Sequence, residues 1–205
     1  DAVERLRPID HPAITETRGY DIDSWDIEYS TSIVDWFSLG GNVRFGDRIN
    51  FSPPVGEEPE TGDWTQLNLG LSLRPVTRLR IDNSFLWTWL DDPESAGRIF
   101  DDRIARTRWN WQWNRELSIR AIVQWEDTDT DPALTTLTAR ENLNADLLVT
   151  YRVNPWTAVY AGFNTNAANR DVFDLADGTR ELRTTDDLRR DASQFFLKMS
   201  YLLRF

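Results

Sequence analysis

The final stretch of the chain restricts its fold more than any other. Phe195, Leu197, Met199, Tyr201, Leu203 and Phe205 occupy every second position, with Gln194, Lys198, Ser200 and Arg204 between them. Side chains of a strand point alternately to opposite faces, so the segment predicts a ribbon with one greasy side and one wet side. A helix would scatter the same apolar residues around its whole circumference.

The pattern recurs upstream. Leu117, Ile119, Ala121, Val123 and Trp125 alternate with Ser118, Arg120 and Gln124; Leu143, Ala145, Leu147, Val149, Tyr151 and Val153 alternate with Asn144, Asp146, Thr150 and Arg152. Phe37, Leu39, Val43 and Phe45 form another such face, as do Leu67, Leu69, Leu71 and Leu73. Two strands carry aromatics: Leu79, Ile81, Phe85, Trp87 and Trp89 in one, Trp109, Trp111 and Trp113 in the other. A strand near residues 20–32 shows Trp25, Ile27 and Tyr29 on its apolar side, and one near 157–165 turns Val159, Ala161 and Phe163 outward. Nine strands result.

Their connections alternate in length. Short links fall at 33–35, 74–77, 114–116 and 154–156, and long acidic ones at 51–63, 90–100, 127–140 and 167–192. An up-and-down barrel of the outer membrane has this arrangement, with tight periplasmic turns and longer external loops. A soluble sandwich has no reason to sort its loops this way. A soluble barrel such as a lipocalin is the competing fold, but its greasy face points inward and it has fewer strands. The expected fold is therefore an all-β, antiparallel, up-and-down transmembrane β-barrel with nine strands present. Residues 1–18 are expected as the end of an extracellular loop or linker, and 19–205 as the C-terminal strands.

Composition is consistent with that fold. A mean hydropathy of -0.54 with 28% charged residues looks soluble, yet a barrel needs only alternate residues to be apolar. No apolar run approaches the roughly 18 residues a spanning helix requires. If the last strand descends to the periplasm, Trp36, Trp113 and Trp156 reach the inner interface, and Trp25, Trp64, Trp89 and Trp125 the outer one, as two aromatic girdles. Trp109 and Trp111 then fall nearer mid-membrane, unexplained by girdles. Single-chain bacterial barrels close with even strand numbers. An odd count predicts at least one more strand, from upstream sequence or from another chain. The net charge of -11 argues against nucleic acid. The absence of cysteine excludes disulfides and thiolate sites. The opening residues have no signal-peptide character, so export would need a longer precursor.

Three groups of residues are candidates for chemistry. Arg44, Arg80, Arg106, Arg108, Arg120, Arg152 and Lys198 should face the lumen, against Asp26, Glu28, Asp82 and Asp146. A basic constriction selects anions; the alternative is a wall rigidified by ion pairs. Asp127, Asp129 and Asp131 alternate in an acidic loop and could offer oxygen ligands to calcium. A solvated acidic surface, or divalent bridging to lipopolysaccharide, are the other readings. No other cofactor is expected. Catalysis has little to build on: His11 is the only histidine, and no G-x-S-x-G elbow exists. The chain is expected not to be an enzyme.

The terminal run 194–205, ending in Phe205 with Tyr201 and Leu203 at alternate positions, resembles outer-membrane barrel C-termini, which implies recognition by the barrel-assembly machinery. Taken with Thr107-Arg108-Trp109-Asn110-Trp111-Gln112 and Val159-Tyr160-Ala161-Gly162-Phe163-Asn164, it resembles a bacterial family in which an N-terminal sandwich, similar to carbohydrate-binding module family 9, precedes a long C-terminal barrel. The likeness spans most of residues 65–205. The sandwich is absent here, so its sugar binding cannot be carried to any residue of this chain. The expected setting is the outer membrane of a Gram-negative bacterium, among its lipid and lipopolysaccharide. Two functions compete: part of a porin-like transport channel for small solutes, saccharide-derived ones included, or a non-conducting anchor for a periplasmic or surface module.

Overall fold

The computed structural model describes residues 2–6, 13–14, 16–174 and 180–202. The described elements are all strands: β1 (Ala2–Leu6), β2 (Arg18–Ile22), β3 (Ser24–Val34), β4 (Phe37–Ile49), β5 (Thr61–Val76), β6 (Leu79–Asp91), β7 (Arg98–Gln112), β8 (Leu117–Thr130), β9 (Arg140–Asn154), β10 (Thr157–Asp174) and β11 (Arg180–Tyr201). Nine of them form one sheet in the order β11-β10-β9-β8-β7-β6-β5-β4-β3, each pairing antiparallel with its sequence neighbour. The sheet is up-and-down and open, with β3 and β11 at its edges.

Cross-strand partners share a face, so the register sorts every side chain. One row runs Ile27, Val43, Leu67, Trp87, and a deeper one Ile81, Trp109, Ala121, Leu147, Phe163, Phe195. The alternating apolar residues of all nine strands meet on this single face. On β9 it extends from Leu143 to Val153, roughly 33 Å along the strand and about 25 Å vertically at barrel tilt. That matches the apolar band of an outer-membrane barrel.

The sheet differs from expectation at both ends. The strand expected over 20–32 is broken at Asp23. Its first part, β2, pairs in a separate two-stranded sheet with β1, which lies in the segment read as loop or linker. Leu6, Ile14, Tyr20 and Ile22 are buried there against Ile49 of β4. This small core sits beside the long-loop end of the wall, and the Tyr20 hydroxyl donates to Pro59 O at 2.7 Å. The break has a local cause. Gly46 has φ +146°, and a Cβ there would lie 2.0 Å from Asp23 O; only glycine lets the two chains approach so closely. The segment 167–192, expected as loop, is largely a strand hairpin. β10 and β11 stay paired to Asp174 and Arg180, with bulges after Asn166 and Ala168. Since β9 stops pairing with β10 at Ala168, the hairpin continues about 20 Å beyond its neighbour.

The other long connections interlock. Across the strand ends between them, the β4–β5 loop meets the β8–β9 loop: Ser52 O accepts from Thr135 Oγ1 at 2.6 Å and Thr136 N at 2.9 Å. Asn50 Nδ2 donates to Leu134 O at 3.1 Å.

Candidate functional site

The face opposite the apolar one carries the charge. Its rows run Asp26, Arg44, Gln66, Thr88, Asp102, Thr128; Asp82, Arg108, Ile122, Asp146, Asn164; and Arg80, Asn110, Arg120, Leu148. Arg106 lies between Ser84 and Gln124, Arg152 beside Ala158, and Lys198 beside Tyr160. The register thus brings every basic residue singled out in the sequence to one side of the sheet. Leu86, Ile104, Ile122 and Leu148 share that side, so it is charged without being uniformly polar.

Part of the charge is internally compensated. Arg44 donates to Asp26, which also accepts from Asn42 at 3.0 Å. Arg80 Nε reaches both oxygens of Asp82, at 2.8 and 3.0 Å, and the Ser72 hydroxyl supplies a second donor to the same carboxylate. Asn164 donates to Asp146. Among the described residues Arg106, Arg108 and Arg120 have no carboxylate within ion-pair range, and Arg106 Nε is buried with no hydrogen-bond partner.

The apolar face ends in polar collars. At the long-loop end, Trp87 Nε1 donates to Asp101 Oδ1 at 2.9 Å and Trp125 Nε1 to Glu141 Oε1 at 2.8 Å. Asp101, almost fully buried, also takes Arg98 at 2.7 Å and Arg103 at 2.8 Å, and the Arg98 guanidinium lies 5.4 Å from the Trp89 ring centroid. The Trp87 and Trp125 N–H groups thus find carboxylate partners toward the loop end while their rings stay on the apolar face, an arrangement that suits amphipathic rings. At the short-turn end Trp111 packs against Trp113, ring centroids 4.7 Å apart and planes tilted by 59°, which places Trp111 with that collar. Trp109, two residues further in, donates its N–H to Thr107 Oγ1 at 2.9 Å, so its deeper position leaves no polar group unsatisfied. Trp64 corrects the girdle assignment. It pairs with Gly46 and Leu90 on the charged face, with the Arg48 guanidinium 4.7 Å from its ring centroid. Its even number was out of phase with Leu67 and Leu69, a signal already present in the sequence.

The three candidate calcium ligands are not brought together. Asp127 and Asp129 follow Trp125 on the apolar face's side, Asp127 at 3.6 Å from Arg103. Asp131 bends back to accept from Ala133 N at 2.9 Å. Among the described residues no three His, Asp or Glu side chains form a metal-ligand group. His11, Leu203 and Phe205 lie outside the described residues; Tyr201 is exposed on the apolar face, opposite Thr157. Sequence reasoning missed the loop latch and the hairpin core. Tyr20 and Ile22, alternating just before a break, were the only local hint.

Fold and faces together define a class: an all-β antiparallel sheet with one apolar and one charged side, the construction of a β-barrel wall. The chain matches no family model and no curated protein. Among solved structures it is similar to one described as "Outer-membrane expressed OmpT of Vibrio cholerae", with a TM-score of 0.46 and 13% identity over 90% of this chain. The chain spans 60% of the length of that neighbour.

Proposed function

We propose that the chain forms part of the wall of an outer-membrane β-barrel, its apolar face against lipid and its charged face lining a water-filled lumen through which small solutes pass. One observation supports this above the rest. The apolar face is continuous across all nine strands, and among the described residues no second layer covers it: Leu69, Trp109, Leu147 and Phe163, all on inner strands, are 40–46% exposed. A water-soluble monomer rarely leaves bare an apolar patch of more than a few hundred Å². Charged side chains on the other face need water, because an ion in hydrocarbon costs several kcal/mol or more.

In lipid the open edges β3 and β11 must find backbone partners, since unsatisfied peptide groups there are too costly. Those partners are further strands of the same polypeptide or of a second chain. The likeness of the C-terminal run to barrel termini makes the assembly machinery a partner, and the family resemblance makes saccharide-derived solutes the first class to try. Planar-bilayer recording of the complete protein tests the reading. A lumen gives steady conductance that scales with salt. A protein that inserts and gives no steady current is an anchor, and the pore reading then fails.

A further inference from the structure

Three guanidinium groups on the charged face of β7 and β8 make no close ion pair among the described residues, although Asp82, opposite Arg108, lies within reach of its field. Arg106 is opposite Ser84 and Gln124, Arg108 opposite Asp82 and Ile122, and Arg120 opposite Asn110 and Leu148. The acids nearest them make their closest contacts with other groups. Asp82 is held by Arg80 and Ser72, Asp146 by Asn164, and Glu126 accepts from Gln124 at 2.5 Å. Among the described residues no carboxylate lies within ion-pair distance of any of the three, and the buried Nε of Arg106 has no acceptor. Arg98 and Arg103, which share the Asp101 carboxylate, show the contrasting arrangement. A buried donor without an acceptor and three mutually repelling charges both cost stability. An external anion would offset both.

We infer that Arg106, Arg108 and Arg120 form a subsite for a solute carrying two or more oxyanion groups, whether carboxylate, sulfate or phosphate. The inference rests on the proposal that this face meets water in a lumen. Arg106 and Arg108 are two residues apart on one strand, about 7 Å. Arg108 and Arg120 are diagonal neighbours on adjacent strands, about 7–8 Å apart. The site therefore favours anionic groups separated by several ångströms on one molecule over a single small ion. Guanidinium forks take each group through paired N–H donors. Asn110, Gln124 and Asn144, beside the three on the same face, add amides for the solute's neutral oxygens.

Citrate is a suitable probe, with acetate as the monovalent control. Calorimetry on the complete protein in detergent, at low salt, should show citrate binding at least roughly tenfold tighter than acetate. R106Q/R108Q/R120Q should weaken citrate by a similar factor. R106K/R108K/R120K, which keeps the charge and loses the forks, should fall between. If the Gln triple does not fold, single R106Q and the Lys triple carry the comparison. Citrate that binds no better than acetate, or equally to wild type and variants, overturns the subsite. Bilayer recording separates the two readings. Citrate bound by a protein that passes no current supports the subsite and overturns the pore. A steady current indifferent to citrate overturns the subsite and leaves the pore standing.

Discussion

Leu147 and Leu148 are chemically identical neighbours with opposite surroundings. Leu147 stands in a row with Ala121 and Phe163 on the apolar face, whereas Leu148 lies beside Arg120 and Gly162 on the charged one. An arginine facing hydrocarbon near mid-bilayer costs about 2–4 kcal/mol, while the lumen side tolerates charge. Leu147→Arg should therefore lower unfolding free energy in lipid vesicles by about that amount, and Leu148→Arg should stay below about 1 kcal/mol. Urea titration followed by Trp fluorescence makes the comparison; equal losses would contradict the face assignment. A second residue-scale outcome concerns Asp92, in the β6–β7 loop. The Ser95 hydroxyl, with the backbone N–H groups of Ser95 and Glu94, holds its carboxyl below the usual range. A depressed folded-state pKa gives stability that is present above the ordinary carboxylate pKa and lost as pH falls through the lower, folded value. Amide exchange in residues 92–97 should accelerate over that acid window in wild type, and Asp92→Asn should flatten the response. Much at this scale was legible in the sequence, because parity alone assigns Arg44, Arg106 and Lys198 to one side. Trp64 was misassigned where residue type was allowed to outrank phase.

Between elements, the information is of a different kind. The bonds from Thr135 and Thr136 to Ser52 O join loops more than eighty residues apart, and no local pattern announces them. Thr135→Val removes one acceptor–hydroxyl bond of about 1 kcal/mol, so exchange of the Thr136 amide should rise about fivefold if the latch is real. Unchanged exchange would show that the loops are held by something else. The N-terminal hairpin depends on a different contact. Gly46→Ala places a methyl into Asp23 O at a backbone angle that L-residues avoid. The expected result is release of the β1–β2 sheet from Ile49, seen as new cleavage in residues 1–22 on limited proteolysis while the nine-stranded sheet keeps its far-UV signal. Strands with one lipid face and one wet face announce themselves by period two. The outer part of β10 and β11 carries no such pattern in its sequence, which is why 167–192 read as loop.

For the molecule as a whole, everything follows from what covers the apolar face. If hydrocarbon does, then the collars of Trp87, Trp125 and Trp111 mark two interfaces, the open edges require partners, and the charged face holds water. The chain contains no cysteine, so single Cys residues placed one at a time from 143 to 152 along β9 give an unambiguous scan. Spin labels at these sites in lipid vesicles should report strictly alternating surroundings. Odd positions should favour oxygen, which partitions into lipid, and even ones a water-soluble nickel chelate. Odd positions that exclude both reagents would mean a protein layer packed on that face, and the membrane-wall account would be wrong.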